Sequence, residues 1–171
     1  MLYKVKKSLS QMNNPIETIY NFKVPNLDGN LVDLNNKKNK VILIVNSASK
    51  WGLAQTNLDN LDLLKKKYDK NLSIWMFPSN QFNQENKSNE ELKAYVSEKN
   101  IKYDFFGKIM LNGSSEDPLY KFLKKKTPGF KLREDINWNF TKFLCINGKP
   151  VKRFEPVSSF SSIENEIKKY L

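Results

Sequence analysis

The sheet of this protein is predicted from one stretch, Val41-Ile42-Leu43-Ile44-Val45, an unbroken apolar run that follows a cluster of Lys and Asn. Such a run is typical of a strand buried on both faces, so we expect it at the centre of a sheet. A second apolar stretch, Leu72 to Phe77, predicts the neighbouring strand, which Pro78 ends. Leucines at helical spacing between the two strands predict a helix over about Thr56 to Asp69. This order predicts a parallel crossover.

Turn and capping signals predict the elements on either side of this unit. An Asp-Gly turn inside the segment from Phe22 to Leu34 predicts an N-terminal β-hairpin. Asn147-Gly148 predicts a second hairpin, with one strand over Phe140 to Ile146 and the other over Val151 to Phe154. Three further helices are predicted, one after the capping box Ser88-Asn89-Glu90-Glu91, one over Asp117 to Leu123, and one after the capping pair Ser161 and Glu164.

The alternation of strands and helices predicts an α/β domain with a mixed sheet that helices flank on both faces. Residues 1–15 are polar and are predicted to form a flexible N-terminal segment, and residues 16–171 a single domain. No apolar run approaches the roughly 20 residues of a membrane-spanning helix, and the start lacks the apolar stretch of a secretory signal. We therefore expect a cytoplasmic protein.

The chain is basic, because 29 Lys and Arg against 18 Asp and Glu give a net charge of +11. This charge favours weak attraction to anionic lipid or nucleic acid. Lys and Asn are spread over the whole sequence, however, which favours a solvated surface over a specific nucleic-acid site. The run Lys124-Lys125-Lys126 is expected in solvent for the same reason.

The chain contains one cysteine, Cys145, and no histidine. A disulfide within the chain is therefore excluded. Because Cys145 lies between Leu144 and Ile146 on a predicted strand, we expect it to be a small buried hydrophobic residue. Without His, a Cys cluster or a Gly-rich phosphate loop, we expect no metal, haem or nucleotide cofactor.

Three segments occur in the order and at the separation of the glutathione peroxidase signatures: Val45-Asn46-Ser47-Ala48-Ser49-Lys50-Trp51-Gly52-Leu53, Phe77-Pro78-Ser79-Asn80-Gln81-Phe82 and Trp138-Asn139-Phe140-Thr141-Lys142-Phe143. The chain resembles that family from about Ile19 to Leu171. The resemblance implies a thioredoxin-like fold with an N-terminal hairpin, and reduction of hydroperoxides by a thiol co-substrate such as glutathione or thioredoxin. Because Thr127 to Ile136 lacks the long insertion of tetrameric relatives, it also implies a monomer.

The chain departs from the family pattern at the position of the peroxide-attacking residue. The family has a cysteine or selenocysteine there, and this chain has Trp51. The family's other site residues match Gln81, Trp138 and Asn139, whose N–H groups would stabilise a thiolate or selenolate. An indole cannot attack a peroxide, because its nitrogen lone pair belongs to the ring. The sequence as written therefore predicts an inactive peroxidase, in which the ring of Trp51 fills the space where peroxide would approach.

A second sulfur is also missing. The resolving cysteine of the thioredoxin-dependent branch has no counterpart in Leu92 to Ser97, and Ser79 occupies the position of another frequent cysteine. A purely structural alternative exists for the three retained residues. In it, Gln81 caps the end of a strand, Asn139 satisfies the hydrogen bonds of a loop, and Trp138 fills the core.

Two alternatives to an inactive peroxidase stay open. One is an active enzyme whose natural residue 51 is Cys or Sec, since the selenocysteine codon UGA is read as Trp in some genetic codes. The other is a basic module that binds an anionic surface through its net charge.

Overall fold

A computed structural model describes residues 16–171, so the predicted flexible segment 1–15 lies outside the described residues. The described chain contains a hairpin of β1 and β2 and a five-stranded sheet of β3 to β7. The strands are β1 (Lys23–Pro25), β2 (Leu31–Asp33), β3 (Val41–Ser47), β4 (Leu72–Pro78), β5 (Asp104–Phe105), β6 (Lys142–Ile146) and β7 (Lys149–Phe154). The α-helices are α1 (Ala54–Tyr68), α2 (Asn89–Glu98), α3 (Pro118–Lys126) and α4 (Phe160–Lys168).

Strand β3 is the central strand, and its seven residues are all buried. The sheet has the order β5-β4-β3-β6-β7. Strand β3 pairs in parallel with β4 and antiparallel with β6, while β4 pairs in parallel with β5 and β6 antiparallel with β7. The predicted central strand and the predicted mixed sheet are both confirmed.

The two faces of the sheet are covered by different helices. Ile42 and Ile44 point into a cluster that includes Leu119 and Leu123 of α3. Val41, Leu43 and Val45 point the opposite way, into a cluster with three leucines of α1 and two isoleucines of α4. Because successive strand residues face opposite sides, one unbroken apolar run supplies both clusters. The prediction of helices on both faces is confirmed.

Both predicted hairpins form. In the first, β1 pairs antiparallel with β2, and Gly29 supplies the positive φ of +81° that the turn needs. In the second, Asn147 and Gly148 both have positive φ, of 49° and 79°, as a tight hairpin turn requires.

Three local predictions are wrong. The strand predicted from Phe140 begins at Lys142, because Phe140 has a left-handed backbone with φ of 60°. The cap of the last helix is Ser159, not Ser161, because the Ser159 Oγ accepts the N–H of Ser162 at 3.2 Å. Lys124 is buried instead of solvated, because α3 turns it inward to an ion pair with Glu116.

Candidate functional site

The predicted site residues lie in three loops at one edge of the sheet. The first loop follows β3, the second follows β4, and the third precedes β6. The parallel strands β3 and β4 have their carboxyl ends at this edge, and the antiparallel β6 has its amino end there. In open sheets of this kind, ligands bind at the carboxyl ends of the parallel strands.

Backbone hydrogen bonds join the three loops. Phe140 N–H donates to the Asn46 carbonyl at 2.7 Å, which connects the third loop to the first. Ser79 N–H donates to Ser47 O at 3.0 Å, and Lys50 N–H donates to Gln84 O at 3.0 Å, which connects the first loop to the second. None of these bonds uses the side chain of residue 51.

Trp51 lies in the tight turn between β3 and α1. Its carbonyl accepts the N–H of Ala54 at 2.9 Å, so the turn leads directly into the helix. The side chain is half-buried, and its ring centre lies 5.3 Å from that of Phe140 at an interplanar angle of 30°. The indole therefore makes an apolar contact on the α1 side of the sheet. This is a packing arrangement, with no ionisable group at the position.

Glu85 holds the loop that carries Trp51, and the sequence interpretation missed it. Its carboxylate is fully buried. One oxygen accepts the N–H of Ser49 at 2.6 Å, and the other accepts the Ser49 hydroxyl at 2.8 Å. Lys87 Nζ also donates to the Ser49 Oγ, at 3.0 Å. Charge-assisted hydrogen bonds of this kind fix the backbone two residues before Trp51.

Gln81 directs its side-chain amide to a neighbouring segment. Its Oε1 accepts the N–H groups of Leu111 and Asn112, the second at 2.9 Å. Its Nε2 donates to the Asn112 carbonyl at 3.0 Å. In this arrangement Gln81 secures the chain at 111–112, which is a structural role different from the strand cap expected of it.

Trp138 and Asn139 make separate contacts. The Trp138 ring centre lies 5.3 Å from that of Phe82, and 40% of the residue is exposed, so the alternative that Trp138 fills the core is wrong. Asn139 is buried, and its Nδ2 donates to Gln84 Oε1 at 2.6 Å. Its Oδ1 has no hydrogen-bond partner within residues 16–171.

The structure thus brings the loops of the four predicted site residues together without joining the side chains into one hydrogen-bonded cluster. Gln81 bonds to Asn112, Asn139 bonds to Gln84, and Trp51 packs against Phe140. In the part of the chain that is described, no hydrogen bond connects the Trp51 side chain with Gln81 or Asn139.

Two buried groups of β6 have shifted pKa values, Lys142 at this edge and Cys145 toward the opposite end of the strand. Burial raises the pKa of the Cys145 thiol well above its ordinary value, and Cys145 packs in the core as predicted. Burial lowers the pKa of Lys142 to about 8, and Lys142 Nζ donates to the Phe140 carbonyl at 2.7 Å. Lys142 therefore supports the same Phe140 that contacts Trp51.

Among residues 16–171, no group of three or more His, Cys, Asp or Glu side chains is placed to hold a metal ion. The helices of this same range are all too short or too polar to cross a membrane.

Comparison with solved structures defines the class of fold. The chain is similar to a crystal structure of T. cruzi GPX1, with a TM-score of 0.74 and 33% identity, over 90% of this chain and 96% of that one. It also superimposes on a thioredoxin-family thiol:disulfide interchange protein from Chlorobium tepidum, with a TM-score of 0.62 at 13% identity, over 87% and 92% of the two chains. The protein has the predicted thioredoxin-like fold.

Comparison of sequences defines the family. Residues 19–124 match the family model described as glutathione peroxidase. A probable phospholipid hydroperoxide glutathione peroxidase of Nicotiana sylvestris is 43% identical over 166 residues, which cover 95% of this chain and 97% of the relative. The chain belongs to the glutathione peroxidase family, as its three signature segments predicted.

A further relative bears on location. A putative chloroplastic glutathione peroxidase of Arabidopsis thaliana is 42% identical over 159 residues, which cover 91% of this chain and 68% of the relative. A cytoplasmic location for the present protein stays a prediction.

Proposed function

We propose that the chain with Trp51 is a glutathione peroxidase-family protein that does not reduce hydroperoxides. The observation that carries this proposal is the indole of Trp51, packed 5.3 Å from Phe140 where the family has its nucleophile. Peroxide reduction in the family begins when a thiolate or selenolate attacks one peroxide oxygen, forming a sulfenic or selenenic acid and releasing water or an alcohol. Two external thiols then return the oxidised atom to its starting state and form a disulfide. Trp51 offers no atom for the first step.

The contacts of the retained residues support the same proposal. Gln81 directs its amide to Leu111 and Asn112, and Asn139 directs its amide to Gln84. In this arrangement we assign Gln81 and Asn139 to holding the loops together. Trp138 is the one family site residue with a large exposed surface, so it is the one most accessible to a ligand.

The direct test is a steady-state assay with purified protein. Hydrogen peroxide and a phospholipid hydroperoxide are each offered with glutathione and, separately, with a thioredoxin system. We expect a rate equal to that of the matched variant Trp51→Ser and to that of buffer alone. Turnover well above the Trp51→Ser variant would disprove the proposal.

A second candidate function is favoured by the Glu85 network. Two short bonds from Glu85 to Ser49, of 2.6 and 2.8 Å, still fix the loop just before residue 51. An intact loop is the arrangement that an active enzyme with Cys or Sec at position 51 would use. Intact-mass measurement of protein from its natural source, with sequencing of the peptide from Ser49 to Gln55, separates the two candidates. A peptide that contains Trp eliminates the active form.

We also propose that the protein is a monomer, because the segment between α3 and β6 lacks the long insertion of tetrameric relatives. Light scattering tests this point. A mass of about 20.0 kDa in solution is expected, and a stable multiple of it would contradict the proposal.

A further inference from the structure

Lys142 carries a buried amine that no step of peroxide chemistry uses. It lies on β6, and the residue is 3% exposed. Its Nζ donates to the Phe140 carbonyl at 2.7 Å. An ammonium group has three N–H donors, so two of them need other acceptors. Among the described residues, no carboxylate lies within ion-pair distance of this amine.

A second buried lysine, Lys124, has the countercharge that Lys142 lacks. Lys124 is equally buried, but its Nζ contacts Glu116, lies 3.4 Å from Asp135 and donates to Asn112 Oδ1 at 3.1 Å. Buried charges in proteins are normally paired, because an uncompensated buried ion costs several kcal/mol. The fold supplies that pairing for Lys124 and not for Lys142.

A small cavity adjoins Lys142. It has a volume of about 20 Å³ and lies between α1 and α4. Such a volume accommodates one water-sized species and is too small for phosphate or sulfate. Its polar lining besides Lys142 consists of Asn57, Asn60 and Ser158, and none of its lining residues is acidic.

The first turn of α4 lines the same cavity through Phe160. The first N–H groups of a helix carry partial positive charge and attract anions. Lys142 and the N-terminus of a nine-residue helix, in which the Ser162 N–H is already bonded to Ser159 Oγ, therefore both border this cavity. The net charge of +11 raises the local concentration of small anions further.

We propose that this cavity binds a single small monovalent anion, such as chloride, between Lys142 and the first turn of α4. The anion supplies the countercharge that the fold does not provide. Because Lys142 holds the Phe140 carbonyl and Phe140 packs against Trp51, anion binding also stabilises the loop that precedes β6. A water molecule in the cavity would accept a hydrogen bond without neutralising the charge.

The test is thermal unfolding at about pH 7 in sodium chloride or sodium gluconate at equal ionic strength. Gluconate is too large for the cavity, so it reports general screening alone. We expect chloride to raise Tm by about 4 °C more than gluconate, with saturation, because a ligand that binds only the folded state stabilises it. The Lys142→Met variant removes this difference, whereas the exposed-site control Lys125→Met retains it.

Two results would overturn the proposal: equal Tm values in chloride and gluconate for the unsubstituted protein, or a chloride effect that persists in Lys142→Met. If Lys142→Met does not fold, a crystal of the unsubstituted protein soaked in bromide decides. An anomalous peak in contact with Lys142 Nζ supports the site, and the lack of a peak there rejects it.

Discussion

The loop after β3 and the loop after β4 differ in what their side chains can contribute to a site. The first loop keeps its backbone contacts, including the Glu85 bonds to Ser49, but has an indole in place of the reactive atom. The second loop keeps the family side chain, Gln81, but uses its amide on the chain at 111–112. The comparison teaches that the framework of a site and its reactive groups are held by separate contacts. A substitution that removes the reactive group can therefore leave the framework in place.

The largest expected effect comes from restoring the missing atom in the first loop. The Trp51→Cys variant should reduce hydrogen peroxide with an external thiol at a rate at least about 100-fold above Trp51→Ser, which corresponds to about 2.7 kcal/mol of activation free energy. The physical reason is that the N-terminus of α1, which begins three residues after position 51, favours a thiolate. Measurement is by peroxide consumption in the presence of excess thiol.

The same variant tests whether the loop after β3 provides a catalytic geometry. If the Trp51→Cys variant consumes peroxide no faster than Trp51→Ser, in which Cys145 is equally buried, the first loop does not provide a catalytic geometry.

The next largest effect is expected at Glu85. The Glu85→Ala variant removes the acceptor of the Ser49 N–H and should lower the free energy of unfolding by about 3 kcal/mol, because a buried donor is left without a partner. Urea unfolding measures the change. The exposed residue Glu98 provides the control, since Glu98→Ala should alter stability by less than about 0.5 kcal/mol. Equal results for the two variants would show that the Glu85 bonds do not hold the loop.

A smaller effect separates the two retained amides. Gln81→Ala should cost about 2 kcal/mol of unfolding free energy, because it leaves the N–H groups of Leu111 and Asn112 without their acceptor. Asn139→Ala should cost about 1 kcal/mol, because it removes one bond to Gln84. The same urea experiment measures both. A loss of less than about 0.5 kcal/mol in Gln81→Ala would contradict the assignment of Gln81 to a structural role.

The smallest effect is a dependence of stability on pH. Burial lowers the pKa of Lys142 to about 8, whereas the unfolded chain keeps the ordinary value of 10.5. Between these values the unfolded state binds more protons, so stability should rise as pH increases, by about 1 kcal/mol between pH 8 and pH 9. Below pH 8 the full cost of the buried charge is present. Unfolding in halide-free buffer measures the slope, and Lys142→Met should lower it; an unchanged slope would remove Lys142 as its source.

Most of the fold was predictable because its signals are local. The apolar run from Val41 to Val45 could be buried only on both faces, and Asn147-Gly148 has few conformations besides a tight hairpin turn. Phe140 was misassigned because its left-handed φ accompanies two hydrogen bonds that the apolar pattern does not indicate: its N–H donates to the Asn46 carbonyl, and its own carbonyl accepts from Lys142 Nζ. The cap at Ser159 was missed because Ser159 and Ser161 both lie close enough to the start of the helix to cap it.

The site was predictable only in part. The motif positions of Trp51, Gln81, Trp138 and Asn139 could be read from the sequence, and the absence of an ionisable group at 51 follows from residue type alone. The partners of those residues could not. Glu85 contacts Ser49 across 36 positions, and no spacing rule connects them. The burial of Lys124 depends on Glu116 and Asp135, which a run of three lysines does not indicate.

The chemical labelling of Cys145 would report how often the folded sheet opens. Cys145 is the only sulfhydryl in the chain, it is fully buried on β6, and burial raises its pKa, so a labelling reagent cannot reach a reactive form in the native state. The rate of labelling therefore measures how often the centre of the sheet is exposed. In a Trp51→Cys protein the two sulfurs would react on separate timescales, so one sample would report both the accessibility of the loop and the lifetime of the folded sheet.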